Sequence, residues 1–205
     1  MPTLLLIRHG ENDYVKTGKL AGRLPGVHLN RRGREQAQAL GEALKDVPLK
    51  AVYSSPLDRA METAAPIASA RGLNIIPEPD LMDTDVGKWQ GRSWKVLRLT
   101  KAWQVVQRSP SRFRFPSGES FPETQARVVN ALEKIIRNHK PQDIVAAVFH
   151  ADPIKLAAAH FLGMPLDYFQ RLGCDTGSLT ALRVSETGAN LLKLNQRPPF
   201  EFLKK

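Results

Sequence analysis

Two histidines and two arginines in this chain stand where apolar runs end. Leu4-Leu5-Leu6-Ile7 leads directly into Arg8-His9-Gly10-Glu11, and Ile144-Val145-Ala146-Ala147-Val148-Phe149 leads into His150. Ala51-Val52-Tyr53-Ser54 precedes Ser55-Pro56-Leu57-Asp58-Arg59. An imidazole fixed at the end of a rigid strand, beside a guanidinium, suits a nucleophile that faces an anion. Arginine offers a planar fork matched to phosphate oxygens, and helix N-termini add backbone N–H groups. These residues predict a phosphate pocket. Other chemistries are disfavoured. No Gly-x-x-x-x-Gly-Lys loop is present to cradle a nucleoside triphosphate. The histidines are dispersed, with no His-x-x-x-His pair, so no metal or other cofactor is expected. No Gly-x-Ser-x-Gly turn of the serine hydrolases occurs.

The elements that must hold these residues alternate in type. Short, continuously apolar runs read as strands buried on both faces: 4–8, 51–54 and 144–149, with a further strand at 73–77. Helices are predicted at 31–46 with Asn30 as cap, from Ser55 (cap) and Pro56 (first position), and at 121–139. Ser120 and Glu123 have capping-box spacing for the last of these. Another helix starts with Asp152 as cap and Pro153 first, and ends at Gly163. Residues 12–30 read as a basic loop carrying Lys16, Lys19 and Arg23, and 80–91 as an acidic, turn-rich loop. One helix is expected over about 93–107, amid Arg92, Lys95, Arg98, Lys101, Arg108, Arg112 and Arg114. A hairpin around Thr187-Gly188 joins 179–184 to 191–194, and the tail from Pro198 is expected to be irregular. Strands alternating with helices predict an α/β fold: a three-layer α/β/α sandwich with a mostly parallel central sheet. Ligands of such sheets bind beyond the C-terminal strand ends, where Arg8, His9, Arg59 and His150 fall.

The chain has 205 residues, 42% hydrophobic and 24% charged, enough for one domain (1–205) with a large core. The segment at about 88–120 reads as a helical and loop insertion over the active site. No apolar run approaches the roughly 20 residues of a membrane span, and no basic stretch precedes the first apolar run, so neither membrane nor signal peptide is expected. The single cysteine, Cys174, excludes an internal disulfide and fits a cytoplasmic location. The formal net charge is +10. The cations are spread out rather than gathered into an arm, so a surface attracting small anions is expected rather than sequence-specific nucleic-acid binding. The oligomeric state is not legible.

These blocks resemble the histidine phosphatase superfamily, also called phosphoglycerate mutase-like, over nearly the whole chain. Arg8-His9-Gly10-Glu11 resembles its Arg-His-Gly signature, and Ser54 to Thr63 resembles its Ser-Ser-Pro-x-x-Arg-Ala-x-x-Thr block. Leu81 to Gly91 is similar to its proton-donor loop, Pro116 to Ser120 to its Pro-x-Gly-Glu-Ser turn, and His150 stands where a second catalytic histidine follows a strand. The resemblance implies a metal-independent phosphatase acting on a phosphorylated small molecule. His9 would be the nucleophile and form a phosphohistidine. Arg8, Arg59 and His150 would hold the phosphoryl oxygens. Asp83, one methylene shorter than the usual glutamate, would protonate the leaving oxygen; Asp85 is the other carboxylate of that loop. A usual pocket asparagine aligns with Val15, with Asn12 nearby, and another aligns near Thr176, just before Ser178. Ala151-Asp152 replaces common glycines. Asn12, Arg23, Asp152, Thr176 and Ser178 are therefore the candidate substrate contacts. A mutase-type phosphotransferase and a weakly catalytic, phospho-ligand-binding regulatory protein are the alternative activities.

Overall fold

The protein is described here by a computed structural model covering residues 2–185 and 188–203. Its strands are β1 (Thr3–Arg8), β2 (Leu49–Ser54), β3 (Ile75–Pro77), β4 (Ile144–Phe149), β5 (Leu179–Ser185) and β6 (Gly188–Gln196). Its α-helices are α1 (Asp13–Lys16), α2 (Arg31–Leu44), α3 (Asp58–Ser69), α4 (Trp94–Leu97), α5 (Lys101–Arg108), α6 (Phe121–Arg137) and α7 (Ala151–Phe161). The strands form one sheet in the order β3-β2-β4-β1-β5-β6. The first four are mutually parallel, while β5 and β6 run antiparallel at one side. The expected hairpin is present as β5 and β6, with its turn residue Thr187 outside the described residues.

The period of two along each strand decides the layers. Leu5 and Ile7 of β1, Val52 of β2 and Val148 of β4 face α2 and α3, where Leu40, Leu44, Ala64 and Ile67 meet them. Leu4 and Leu6, Tyr53, Val145 and Phe149 face α6 and α7, against Val128, Leu132, Ile135 and Ile154. Both faces of β1 are covered, which is why Leu4 through Ile7 are all 0% exposed. Each such side chain contributes about 1.5–3 kcal/mol of burial, so a register slip is strongly opposed. A third cluster lies apart from the sheet and joins Trp89, Leu97, Val106, Phe113 and Phe115 to Phe121 and Phe169. Among the described residues no helix is long and apolar enough to cross a membrane.

Several local expectations are corrected. Residues 12–30 are not all loop: Asn12 caps α1, its side chain accepting from the Val15 N–H at 3.0 Å. The single helix expected at about 93–107 is two, α4 and α5, because Ser93 and Thr100 each cap a separate start. Ser55 does not cap α3, which begins at Asp58 after Leu57, with no side-chain cap. Asp152 is not the cap of α7; it lies inside the first turn, and His150 occupies the cap position. The C-terminal tail is irregular through Phe200, as expected, and then forms a short 3-10 turn at Glu201–Leu203. Phe200 is 2% exposed and packs with the α2–α3 layer.

Candidate active site

The ends of β1, β4 and β2 are stitched together at the point where chemistry was expected. The His9 N–H donates to the Phe149 carbonyl at 3.0 Å, and the Ser55 N–H to the Val148 carbonyl at 2.9 Å. After His9 the chain must pass very close to α2. A Cβ on Gly10 would lie 2.5 Å from the Gly33 carbonyl oxygen, so the signature glycine is required by this approach. The Gly10 N–H donates to Thr63 Oγ1 at 2.9 Å, and Gln36 Oε1 accepts from the Glu11 N–H at 2.8 Å. The loop after β1 is thereby tied to both helices of its layer.

His9 is 4% exposed. Its Nδ1 lies 2.7 Å from the Gly10 carbonyl. A carbonyl only accepts, so Nδ1 carries the proton and Nε2 keeps its lone pair. Arg59 Nε donates to that Nε2 at 3.3 Å. Arg59 is 1% exposed, and its Nη2 donates to the Gly22 carbonyl (2.7 Å), to Asp83 Oδ2 (3.1 Å) and to His150 Nδ1 (3.3 Å). That contact leaves the His150 proton on Nε2, which donates to Ser55 Oγ at 2.8 Å. The hydroxyl read as a helix cap is therefore taken by the second histidine.

The electrostatics keep both imidazoles neutral. Burial, then the charges of Arg59 and Arg8, hold His9 well below its usual value. Burial and Arg59, with His9 and Arg8 adding to them, do the same for His150. Asp83 moves the other way. Burial pushes its carboxyl up to about 6 against the pull of Arg59, and the charge of Asp152 adds to the rise. A neutral imidazole thus stands near a carboxyl that titrates near 6.

Arg8, His9, Arg59, Asp83, Asn12 and Asp152 all line one cavity of about 330 Å³. Arg8 is fixed by donating from Nη1 to the Cys174 carbonyl at 2.6 Å. Asp152 pairs with Lys155 at 2.8 Å. Three of the expected substrate contacts are not among the cavity's lining residues. Arg23 instead donates from Nε to the Asp83 carbonyl at 2.8 Å. Thr176 accepts from Gln36 Nε2 through its carbonyl and its hydroxyl. Ser178 offers its carbonyl to the Arg8 N–H at 3.0 Å. These three position the groups that do line the site.

Glu119 and Arg127 were not singled out from the sequence, yet they hold the Asp83 loop. Glu119 accepts from Arg23, from both Nε and Nη2 of Arg127, from Thr124 and from the Asp85 N–H. Burial pushes the Glu119 carboxyl up, but hydrogen bonds from Arg127 and the Asp85 amide, with the charges of Arg127 and Arg23, outweigh this and hold it below its usual value. Arg127 also donates to the carbonyls of Asp80 and Met82. The only sequence signal was Glu119's place in the Pro-x-Gly-Glu-Ser turn. Asp85 accepts from the Gly87 N–H at 2.9 Å and serves the same turn. Glu119→Ala is expected to loosen Asp83 and lower kcat on alkyl phosphates by about 10²-fold, with inorganic phosphate inhibiting within about twofold of its original strength. Equal loss of both would assign Glu119 to phosphate binding instead.

A buried imidazole with an unprotonated Nε2, sharing a guanidinium with a second histidine and a carboxyl at the strand ends of an α/β sheet, suits phosphoryl transfer. Residues 4–197 match the histidine phosphatase superfamily (branch 1). The chain is 32% identical over 197 residues to phosphoserine phosphatase 1 of Hydrogenobacter thermophilus, covering 95% of this chain and 92% of that protein. It is 35% identical over 147 residues to the metal-independent phosphoserine phosphatase of Arabidopsis thaliana, covering 69% and 61% of the two chains. The solved structure of Bacillus stearothermophilus YhfR superposes with a TM-score of 0.87 at 26% identity, covering 100% of both chains. The chain belongs to the histidine phosphatase superfamily. It is a phosphoric monoester hydrolase of that family's metal-independent kind.

Proposed function

We propose that the chain hydrolyses small phosphate monoesters in two steps at His9, with Asp83 as the proton donor. The observation that carries this reading is the placement of Arg59, which touches His9, His150 and Asp83 at once. In the first step the His9 Nε2 lone pair attacks phosphorus, and the bond to the leaving oxygen breaks. Asp83 gives its proton to that oxygen, and the alcohol departs. In the second step water attacks the phosphohistidine. Asp83 takes the water's proton, phosphate leaves, and both side chains return to their starting forms. Arg8 and Arg59 hold the non-bridging oxygens and offset their charge, and His150 joins them by taking up a proton at Nδ1 as the phosphate dianion enters. In this reading the chain is one catalytic domain in the cytoplasm, the 88–120 insertion roofs the leaving group, and small phosphorylated molecules, not nucleic acid, are its partners. The names of the Hydrogenobacter and Arabidopsis relatives make O-phosphoserine the first ester to assay.

The test is phosphate release in the presence of a chelator. Release is expected to persist, and to fall by about 10⁴-fold or more in His9→Ala. Brief incubation with a ³²P-labelled ester is expected to leave an alkali-stable label on the wild-type chain and none on the variant. Full activity in His9→Ala, or activity only with added metal, would sink the reading. Isomerised phosphoglycerate without net release would indicate a mutase.

A further inference from the structure

The cavity holds more than a phosphate needs. Five buried side-chain polar atoms have no hydrogen-bond partner among the described residues: Arg8 Nε, Asn12 Nδ2, Thr84 Oγ1, Trp94 Nε1 and Ser178 Oγ. Four of the five belong to residues lining this one cavity, Ser178 being the exception. Buried polar groups are rarely left unpaired, and three of these four are donors that can only be satisfied by an acceptor. Arg8 directly precedes His9, Asn12 follows it by three residues, and Thr84 is beside Asp83, in the region of the reacting phosphate. Trp94 belongs to α4, on the 88–120 segment, and so to the leaving-group side.

The same cavity has an aromatic part. Trp94, Trp103, Phe115 and Phe121 are among its lining residues. Trp103 stacks on Trp89 with ring centroids 6.2 Å apart and planes 21° from parallel, and Phe115 meets Trp89 edge-on at 5.3 Å. A wall braced from behind binds flat apolar groups without much ordering on its own part. The charges in the lining are unequal. Five cations (Arg8, Lys19, Arg59, Arg98, Lys155) face two carboxylates, Asp83 and Asp152. With Asp83 protonated as the donor, a phosphate monoester dianion offsets two of the four surplus charges, leaving room for a further anion. Lys19 and Arg98 are exposed, which puts that surplus toward the solvent side of the aromatic wall.

Resting on the activity assigned above, we propose that this wall is a leaving-group subsite. It takes phosphate monoesters of primary alcohols that join a flat apolar body to an anionic end, with Trp94 Nε1 donating to that end and Trp103 covering the body. Three probes test this, all with primary alcohol leaving groups: benzyl phosphate, 4-carboxybenzyl phosphate and O-phosphoserine. Benzyl phosphate is expected to exceed O-phosphoserine in kcat/KM by about tenfold, and the carboxyl group to add about tenfold more. Trp94→Phe keeps the ring and removes the N–H, so it is expected to shrink the carboxybenzyl-to-benzyl ratio toward one. Trp103→Ala is expected to shrink the benzyl-to-phosphoserine ratio. The same ranking is read as Kd by calorimetry in His9→Ala protein, which binds esters without turning them over. An inverted ranking, or tryptophan variants that weaken all three esters alike, overturns the subsite. Loss of hydrolysis with the binding order intact overturns the assigned activity and leaves the subsite standing.

Discussion

Arg59→Lys is expected to lower kcat by about 10³-fold on every ester while leaving the protein folded. The guanidinium reaches four groups from a fully buried position: His9 Nε2, the Gly22 carbonyl, Asp83 Oδ2 and His150 Nδ1. A lysine ammonium is a single point and cannot span them. Two effects compete. If charge alone mattered, lysine would keep most of the activity, because it restores the cation facing Asp83. If the fork matters, the two imidazoles lose their common donor, and the developing charge on phosphorus loses its planar clamp. The geometry favours the second, since the contacts come from both Nε and Nη2 of one rigid plane. Steady-state kinetics with a thermal melt decide it. Activity within about tenfold of the original in a folded variant would show that the fork is dispensable.

Asp83→Asn is expected to slow alkyl ester hydrolysis by about 10³-fold, and p-nitrophenyl phosphate hydrolysis far less, because a good leaving group needs no proton. An equal effect on both esters would remove Asp83 from the donor role. The pH profile follows the same group. With the carboxyl of the free enzyme held near 6, kcat/KM on alkyl esters is expected to fall as pH rises through 6 and the proton is lost. In the variant that limb should vanish. Stability moves the opposite way. The folded carboxyl titrates near 6 against a usual 3.8, so folding favours its protonated form. That contribution is present in full below 3.8 and is lost as pH rises through 6. Above pH 7 the ionised carboxylate costs about 3 kcal/mol relative to an exposed one. Asparagine mimics the neutral form, so the variant is expected to be more stable at pH 8 by up to about 3 kcal/mol, with the gap narrowing between pH 6 and 4. Urea unfolding at pH 8 and pH 4 measures both. A variant less stable than the parent at pH 8 would mean that the Arg59 ion pair outweighs burial.

The legible parts of the molecule were those where local chemistry and tertiary structure agree. The apolar runs of β1 and β4 read as doubly buried strands because no other environment suits Leu4 through Ile7 or Val145 through Phe149. The Asn30 cap and the Ser120–Glu123 capping box formed as expected, since the other partners of these side chains use different atoms: Asn30 donates to Glu11 through Nδ2 and caps through Oδ1, and Glu123 meets Arg114 through Oε1 and the Ser120 N–H through Oε2. The errors fell where the site took a local group for itself. Ser55 has the right type and position for a cap, but its hydroxyl accepts from His150. Asp152 precedes a proline like a cap, but it is drawn into the first turn, where it pairs with Lys155. Arg127 was hidden because its partners, Glu119 and the carbonyls of 80–83, lie on turns distant in sequence, and no periodicity encodes such a contact. The break between α4 and α5 was missed because the apolar spacing runs across it while the caps at Ser93 and Thr100 do not.

β4 stands between β2 and β1 in the sheet, yet it is synthesised after both. Within the sheet β1 pairs only with β4 and β5, so the first strand has no strand partner until residue 144 has left the ribosome. His9 and Arg59 are translated early and must wait for His150 to arrive with the strand that joins their two halves. Pairings this remote in sequence make folding slow, and they place the closing of the site late on that path. A nascent chain therefore carries His9 and Arg59 before the strand that brings His150 between them, and the proposed site is complete only when the whole sheet has zipped.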